Sequence, residues 1–163
     1  MARWSVNVPT WTPVAVADTT NFSDAGYMAI QGGSTTQRTN ILEVYMGGQA
    51  GASSPSIMLL ARDSTVGVTL SVGRFAALDP ATAALAAPPV AFNTATTDPQ
   101  RSATLSLLNL SFNAFGGIVR WVYSPGEEVG MLGSTASFGE TSLSAFTGGT
   151  PGLMGSHFIV EPF

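Results

Sequence analysis

Apolar side chains recur along this chain with a period of two, not three or four. Ile41-Leu42-Glu43-Val44-Tyr45-Met46 is a β-favouring run closed by Gly47-Gly48. Ser56-Ile57-Met58-Leu59-Leu60-Ala61-Arg62 follows the turn-rich Gly51-Ala52-Ser53-Ser54-Pro55. Shorter runs lie at 66–70 and 74–78, later ones at 128–132, 141–146 and 157–160, and weaker ones at 11–16 and 27–30. Each is bounded by Gly, Pro, Asn or Ser, residues that supply turn conformations or withhold a ladder donor and so end strands.

The longest run, 102–112, changes phase within itself. Ala103, Leu105 and Leu107 share one face, then Leu108, Leu110 and Phe112 take the opposite parity. Because side chains alternate sides, a slip of one residue means either a β-bulge or a strand buried on both faces. Asn113-Ala114-Phe115-Gly116-Gly117 then offers a hairpin turn into 118–123, where Trp121 alternates with Val119 and Tyr123 as a core position would. One segment departs from the pattern. Asp79-Pro80 sets an N-cap and a first-turn proline ahead of an alanine-rich stretch stopped by Pro88-Pro89, which fits a helical turn or two, or a bare loop.

These runs predict an all-β fold: a jelly-roll-like antiparallel β-sandwich of about 8–10 short strands with an N-terminal arm. A chain of 163 residues suits one domain and buries roughly 70% of its unfolded surface without staples. Residues 1–10, carrying Trp4 and Pro9, read as the extended arm, and 11–163 as a single β-sandwich domain.

Composition narrows the chemistry. The sequence contains no lysine, no cysteine and one histidine, His157. Disulfides and thiolate metal sites are thereby excluded. Six arginines face ten carboxylates, for a net charge of −4. Arg3, Arg38, Arg62, Arg74, Arg101 and Arg120 are spread along the chain, not clustered as phosphate binding requires, so no nucleic-acid partner is expected. Only 10% of residues are charged, far below a typical soluble surface, which points to a surface partly covered by other subunits. The first residues lack the apolar core of a signal peptide, and no run reaches the ~18 apolar residues of a membrane helix. A membrane barrel, suggested by the terminal Phe163, is opposed by Glu161 and Pro162 and by strands shorter than the ~9–11 residues needed.

Catalysis finds few candidates. A serine hydrolase would need His157 as its base, and no G-x-S-x-G elbow occurs; a strand start or subunit contact suits His157 better. His157 and Glu161, four apart on a strand, stand ~13 Å from each other, too far to share a metal. Asp18, Asp24 and the isolated Asp63 match no calcium-loop spacing. Glu127-Glu128 reads as a solvated turn, since strand neighbours face opposite ways. The glycine pairs follow neither dinucleotide nor P-loop patterns. We expect no enzyme activity, cofactor or metal. The aromatic residues leave two readings. Trp4, Trp11, Trp121, Tyr27, Tyr45 and Tyr123 suit a carbohydrate-binding jelly roll, whereas Trp4 and Trp11 also suit anchors inserted into a neighbour. Arg3 and Arg120, each beside a tryptophan, complete a candidate interface of Arg3, Trp4, Trp11 and Arg120 through ion pairs or cation–π contacts.

Several stretches together resemble a known group. They are the Trp/Pro-bearing N-terminus, Thr39-Asn40-Ile41-Leu42-Glu43-Val44, the 102–112 run with Phe115-Gly116-Gly117-Ile118-Val119-Arg120-Trp121, Gly148-Gly149-Thr150-Pro151-Gly152, and 157–161. In combination they are similar to the small β-sandwich virion proteins of tailed bacteriophages, notably capsid decoration (cement) proteins. The resemblance implies a jelly-roll-like fold, a homo-oligomer (often a trimer), and docking on the major capsid protein at the outer surface of the virion. A tail or neck component of the virion is the nearest variant of that expectation. No catalytic residue is carried over.

Overall fold

The computed structural model describes residues 2–133, 138–149 and 152–162. Thr150, Pro151 and Phe163, which entered the sequence argument, lie outside them. The described residues form thirteen strands: β1 (Trp4–Trp11), β2 (Tyr27–Gln31), β3 (Arg38–Gly48), β4 (Ser56–Thr65), β5 (Val68–Leu70), β6 (Arg74–Ala77), β7 (Val90–Phe92), β8 (Ala95–Thr97), β9 (Gln100–Phe112), β10 (Ile118–Val122), β11 (Val129–Leu132), β12 (Glu140–Gly148) and β13 (Met154–Pro162). All pairings are antiparallel. Sheet A runs β10-β3-β13-β1-β6, with β11 continuing beside β3 after β10, and sheet B runs β7-β2-β12-β4-β9.

The pairings are nested: β1 with β13, β2 with β12, β3 with β10 and β11, and β4 with β9. Successive strands β1, β2, β3 and β4 alternate between the sheets, and β9 to β13 retrace them. A long hairpin rolled up on itself produces this order, so the sandwich is a jelly roll. The fold of the hairpin lies at 66–99. That insertion carries the two-stranded ribbon β5–β8 and lends β6 to the edge of β1 and β7 to the edge of β2. One side of the sandwich therefore has both sheets extended by the insertion, and β9 and β10 are left at the other.

Alternation builds the core. Trp4, Val6 and Val8 of β1 and Phe158 and Val160 of β13 face Met28, Ile30, Met58, Leu60 and Leu143 of sheet B. The extra strands beyond the expected eight to ten are three- and four-residue pieces within the insertion, too short to leave a periodic signal. The phase slip in 102–112 is a bulge: Leu108 pairs with Leu60 and Ser106 with Ala61, leaving Leu107 extra.

Two expectations need correction, and the choice left open at 79–87 falls to the loop. The N-terminus is no arm. β1 is hydrogen-bonded to β13 on one side and β6 on the other, because Trp4-Ser5-Val6-Asn7-Val8 alternates apolar and polar and buries its apolar face. Residues 79–87 form no helix; the Asp79 side chain and carbonyl accept from Ala81 and Thr82 in a single turn, after which the chain extends. Residues 12–16 are not a strand: they begin the segment 12–26, which leaves sheet A and crosses to sheet B, where Val16 donates its N–H to the Ala145 carbonyl.

That crossing segment and the insertion cover the outer face of sheet B. Between them and sheet B, Phe22, Tyr27, Ala29 and Phe92 form a second, smaller apolar cluster, with Val16, Leu70 and Ala95 packed against it. β12 is consequently buried on both faces from Glu140 to Ala145.

Candidate interface on sheet A and its free edge

The outer face of sheet A is not covered by the two segments that lie over sheet B. Cross-strand register places Arg120 of β10, Tyr45 of β3, His157 of β13, Asn7 of β1 and Arg74 of β6 in one row across all five strands. Tyr45 and His157 stack with ring centroids 4.1 Å apart, as opposed side chains on adjacent strands are placed to do. The Arg120 guanidinium lies 5.4 Å from the Tyr45 ring centre and 2.8 Å from Glu43. Tyr45 donates its hydroxyl to the same carboxylate at 2.7 Å.

This cluster is electrostatically settled. The Tyr45 hydroxyl, and then the Arg120 guanidinium, hold the Glu43 carboxyl below its ordinary range. Partial burial lowers the proton affinity of His157 despite Glu43 nearby, so its ring is neutral at neutral pH. The β10 end of the row, together with Glu43, is therefore a preformed surface of a cation, a carboxylate and two stacked rings. Among the described residues no group of three or more His, Asp or Glu side chains is placed to hold a metal ion.

At the edge of this face, β10 and the turn before it expose apolar side chains. Phe115 is 56% exposed, Ile118 84%, Trp121 42% and Val122 54%. Trp121 was expected in the core. Its parity does point inward, opposite the buried Val44, yet β10 is an edge strand and leaves the side chain partly exposed. No charged residue occurs from 102 to 119, so the adjoining edges β9 and β10 start with only Arg120 and Arg101 as cations. β9 is bent by its bulge and by four residues, 102–105, that oppose the single Arg62, which makes it the less regular of the two edges.

The four expected interface residues separate. Trp4 is 4% exposed and stacks on Phe75, while Trp11 is 1% exposed and donates its indole N–H to Ser156 Oγ at 3.0 Å. Both belong to this chain's own core, and neither can reach a neighbour while the sheet is intact. Arg3 and Arg120 remain at the surface, paired with Glu161 at 3.8 Å and with Glu43. His157 lies in mid-strand, not at a strand start. Sequence reasoning missed Glu43 and named Tyr45 only as an aromatic that could stack on a sugar; their shared outward parity in 41–46 was the available signal.

Asp63, isolated in the sequence, has a charged neighbour in the fold. It is buried on the outer face of sheet B, accepting from Ser142, and faces Glu140, a residue 77 positions away. Glu127 and Glu128 do form a solvated turn, in which Glu128 accepts from the Gly126 N–H at 2.8 Å. Comparison with protein-family models, with curated proteins and with solved structures returned no match.

Proposed function

We propose that this protein is a structural component of a virion that associates through its surfaces, in the manner of a capsid decoration or cement protein. The observation that carries the reading is the apolar rim of β10. Exposed Phe115, Ile118, Trp121 and Val122 beside an uncharged stretch form the kind of surface that marks protein–protein contact. The neighbouring cluster of Arg120, Glu43, Tyr45 and His157 adds polar groups that fix register at the border of such a contact. A jelly roll with these features supports a homo-oligomer, with a trimer favoured, seated on the major capsid protein at the outer surface of the shell. Many weak contacts repeated over a lattice stabilise it by mass action.

The carbohydrate-binding reading is weaker than it was in sequence, because Trp4, Trp11 and Tyr27 are buried and cannot stack on a sugar. Light scattering after size exclusion tests the association, and co-sedimentation with capsid shells tests the partner. The double variant Ile118→Lys, Val122→Lys should stay folded and lose self-association. An oligomer unchanged by those two charges removes the rim from the proposal, and a monomeric wild type that ignores shells removes the proposal itself.

A further inference from the structure

The outer face of sheet B holds buried charge that association does not use. Asp63 and Glu140 are both fully buried, on the adjacent strands β4 and β12. Glu140 accepts from Gln31 Nε2 at 2.6 Å and from the Gly67 N–H at 2.9 and 3.2 Å. One oxygen of Asp63 accepts from Ser142, and the other has no hydrogen-bond partner. Two buried carboxylates in contact cannot both ionise without a large desolvation and repulsion penalty.

We propose that Asp63 and Glu140 share one proton, and that this proton latches the start of the 66–99 insertion onto sheet B. Losing it leaves two buried anions, whose relief is for water to enter by lifting the segment that contains Gly67. The geometry around the pair supports a latch. Gly67 is pressed between Glu140 and the Phe92 ring so closely that a Cβ there would meet ring carbons at 2.6 Å. Two residues on, Thr69 holds φ at 54°, a left-handed conformation costly for a β-branched residue. The ribbon beyond is short: Val68 pairs with Thr97 and Leu70 with Ala95, and at its far end Ser71 bonds to Thr94. Lifting this segment loosens the cover that also supplies β6 and β7 to the edges of both sheets.

The surrounding charges leave the pair poorly compensated. β9 contributes Arg101, which favours the Asp63 anion but is already bridged to Asp18 of the crossing segment. β2 contributes the neutral Gln31 and the Tyr27 phenol, which donates to Asp98, and Asp24 acts on both Tyr27 and Asp98. Asp18, Asp24, Asp63, Asp98 and Glu140, five of the chain's ten carboxyl groups, thus lie under or beside the cover with one arginine. Burial raises both members of the pair, Glu140 to about 7 and Asp63 well above its ordinary value. Stability from a raised acid is complete below its unfolded value and is lost as pH rises through the folded one.

Hydrogen–deuterium exchange of the 66–73 region, corrected for intrinsic rates, tests the latch on the whole protein at pH about 5.5 and about 8.5. Wild type should open on the order of 100-fold more at the higher pH. Asp63→Asn supplies a permanent donor toward Glu140 and should stay closed at both. Infrared spectra of wild type at neutral pH should show a protonated carboxyl band that Asp63→Asn lacks. Glu140→Gln gives the same comparison should Asp63→Asn not fold. Opening in wild type that ignores pH, an unaltered pH dependence in the folded variant, or no protonated carboxyl at neutral pH overturns the proposal.

Discussion

Replacing Arg101 should destabilise this protein more than any other single loss of charge among its six arginines. The side chain is 1% exposed and its three nitrogens are all engaged: Nε with Asp18, Nη2 with the Val16 carbonyl, and Nη1 with Ser144 Oγ at 2.6 Å. The Phe22 and Phe146 ring centres lie 5.6 and 5.3 Å from its guanidinium carbon. It therefore pins the crossing segment, through Val16 and Asp18, to β9 and β12. Arg101→Met retains the unbranched stem and its contact with the rings but removes every polar bond. Stranding one partner of a buried pair costs about 3–5 kcal/mol, and the lower end applies because Asp18 keeps some exposure to water. A loss of ~3 kcal/mol corresponds to a fall in Tm of roughly 6–12 °C for a domain of this size. Urea denaturation followed by tryptophan fluorescence measures it directly, since Trp4 and Trp11 report on the main core. Adding Asp18→Asn should recover ~1–2 kcal/mol by removing the stranded charge, a coupling that a double-mutant cycle isolates. Arg101→Met within ~1 kcal/mol of wild type, or strict additivity with Asp18→Asn, would refute the clamp.

Other perturbations follow from the same contacts. Removal of residues 2–11 takes an interior strand out of sheet A, so the truncated chain should lose its cooperative thermal transition and its near-ultraviolet dichroism; a folded product would restore the arm. Trp11→Ala empties a core site and orphans Ser156 Oγ, and should cost ~3–5 kcal/mol in urea denaturation. Gly48→Ala should cost ~1–3 kcal/mol by the same measurement, because its Cβ would stand 2.3 Å from the Ala114 Cβ. Arg120→Ala releases Glu43 at the surface, and its effect should appear in self-association by light scattering, with the fold unaltered by circular dichroism.

Period-two alternation, the turn residues and the absence of helical spacing determined the all-β class, because these are properties of neighbouring residues; the parity change at Leu107-Leu108 marked an irregularity, and only pairing with β4 made it a bulge. The same local signal was present at Trp4-Ser5-Val6-Asn7-Val8, where tryptophan and proline outweighed it and an arm was expected. Exposed Arg3 and Arg120 were legible as surface charge, Tyr45 as a candidate aromatic, and Glu43 could have been found from its parity. What lies beyond local spacing was decided by the rolling of the hairpin. That closure places β13 beside β1, turns Trp4 and Trp11 into core, and brings Asp63 within reach of Glu140 and Arg101 within reach of Asp18. It also lays the crossing segment and the insertion over sheet B, which converts outward-facing Ser142, Ser144 and Glu140 into buried groups. Alternation tells which side of a strand a residue faces; only the packed chain tells whether that side meets water.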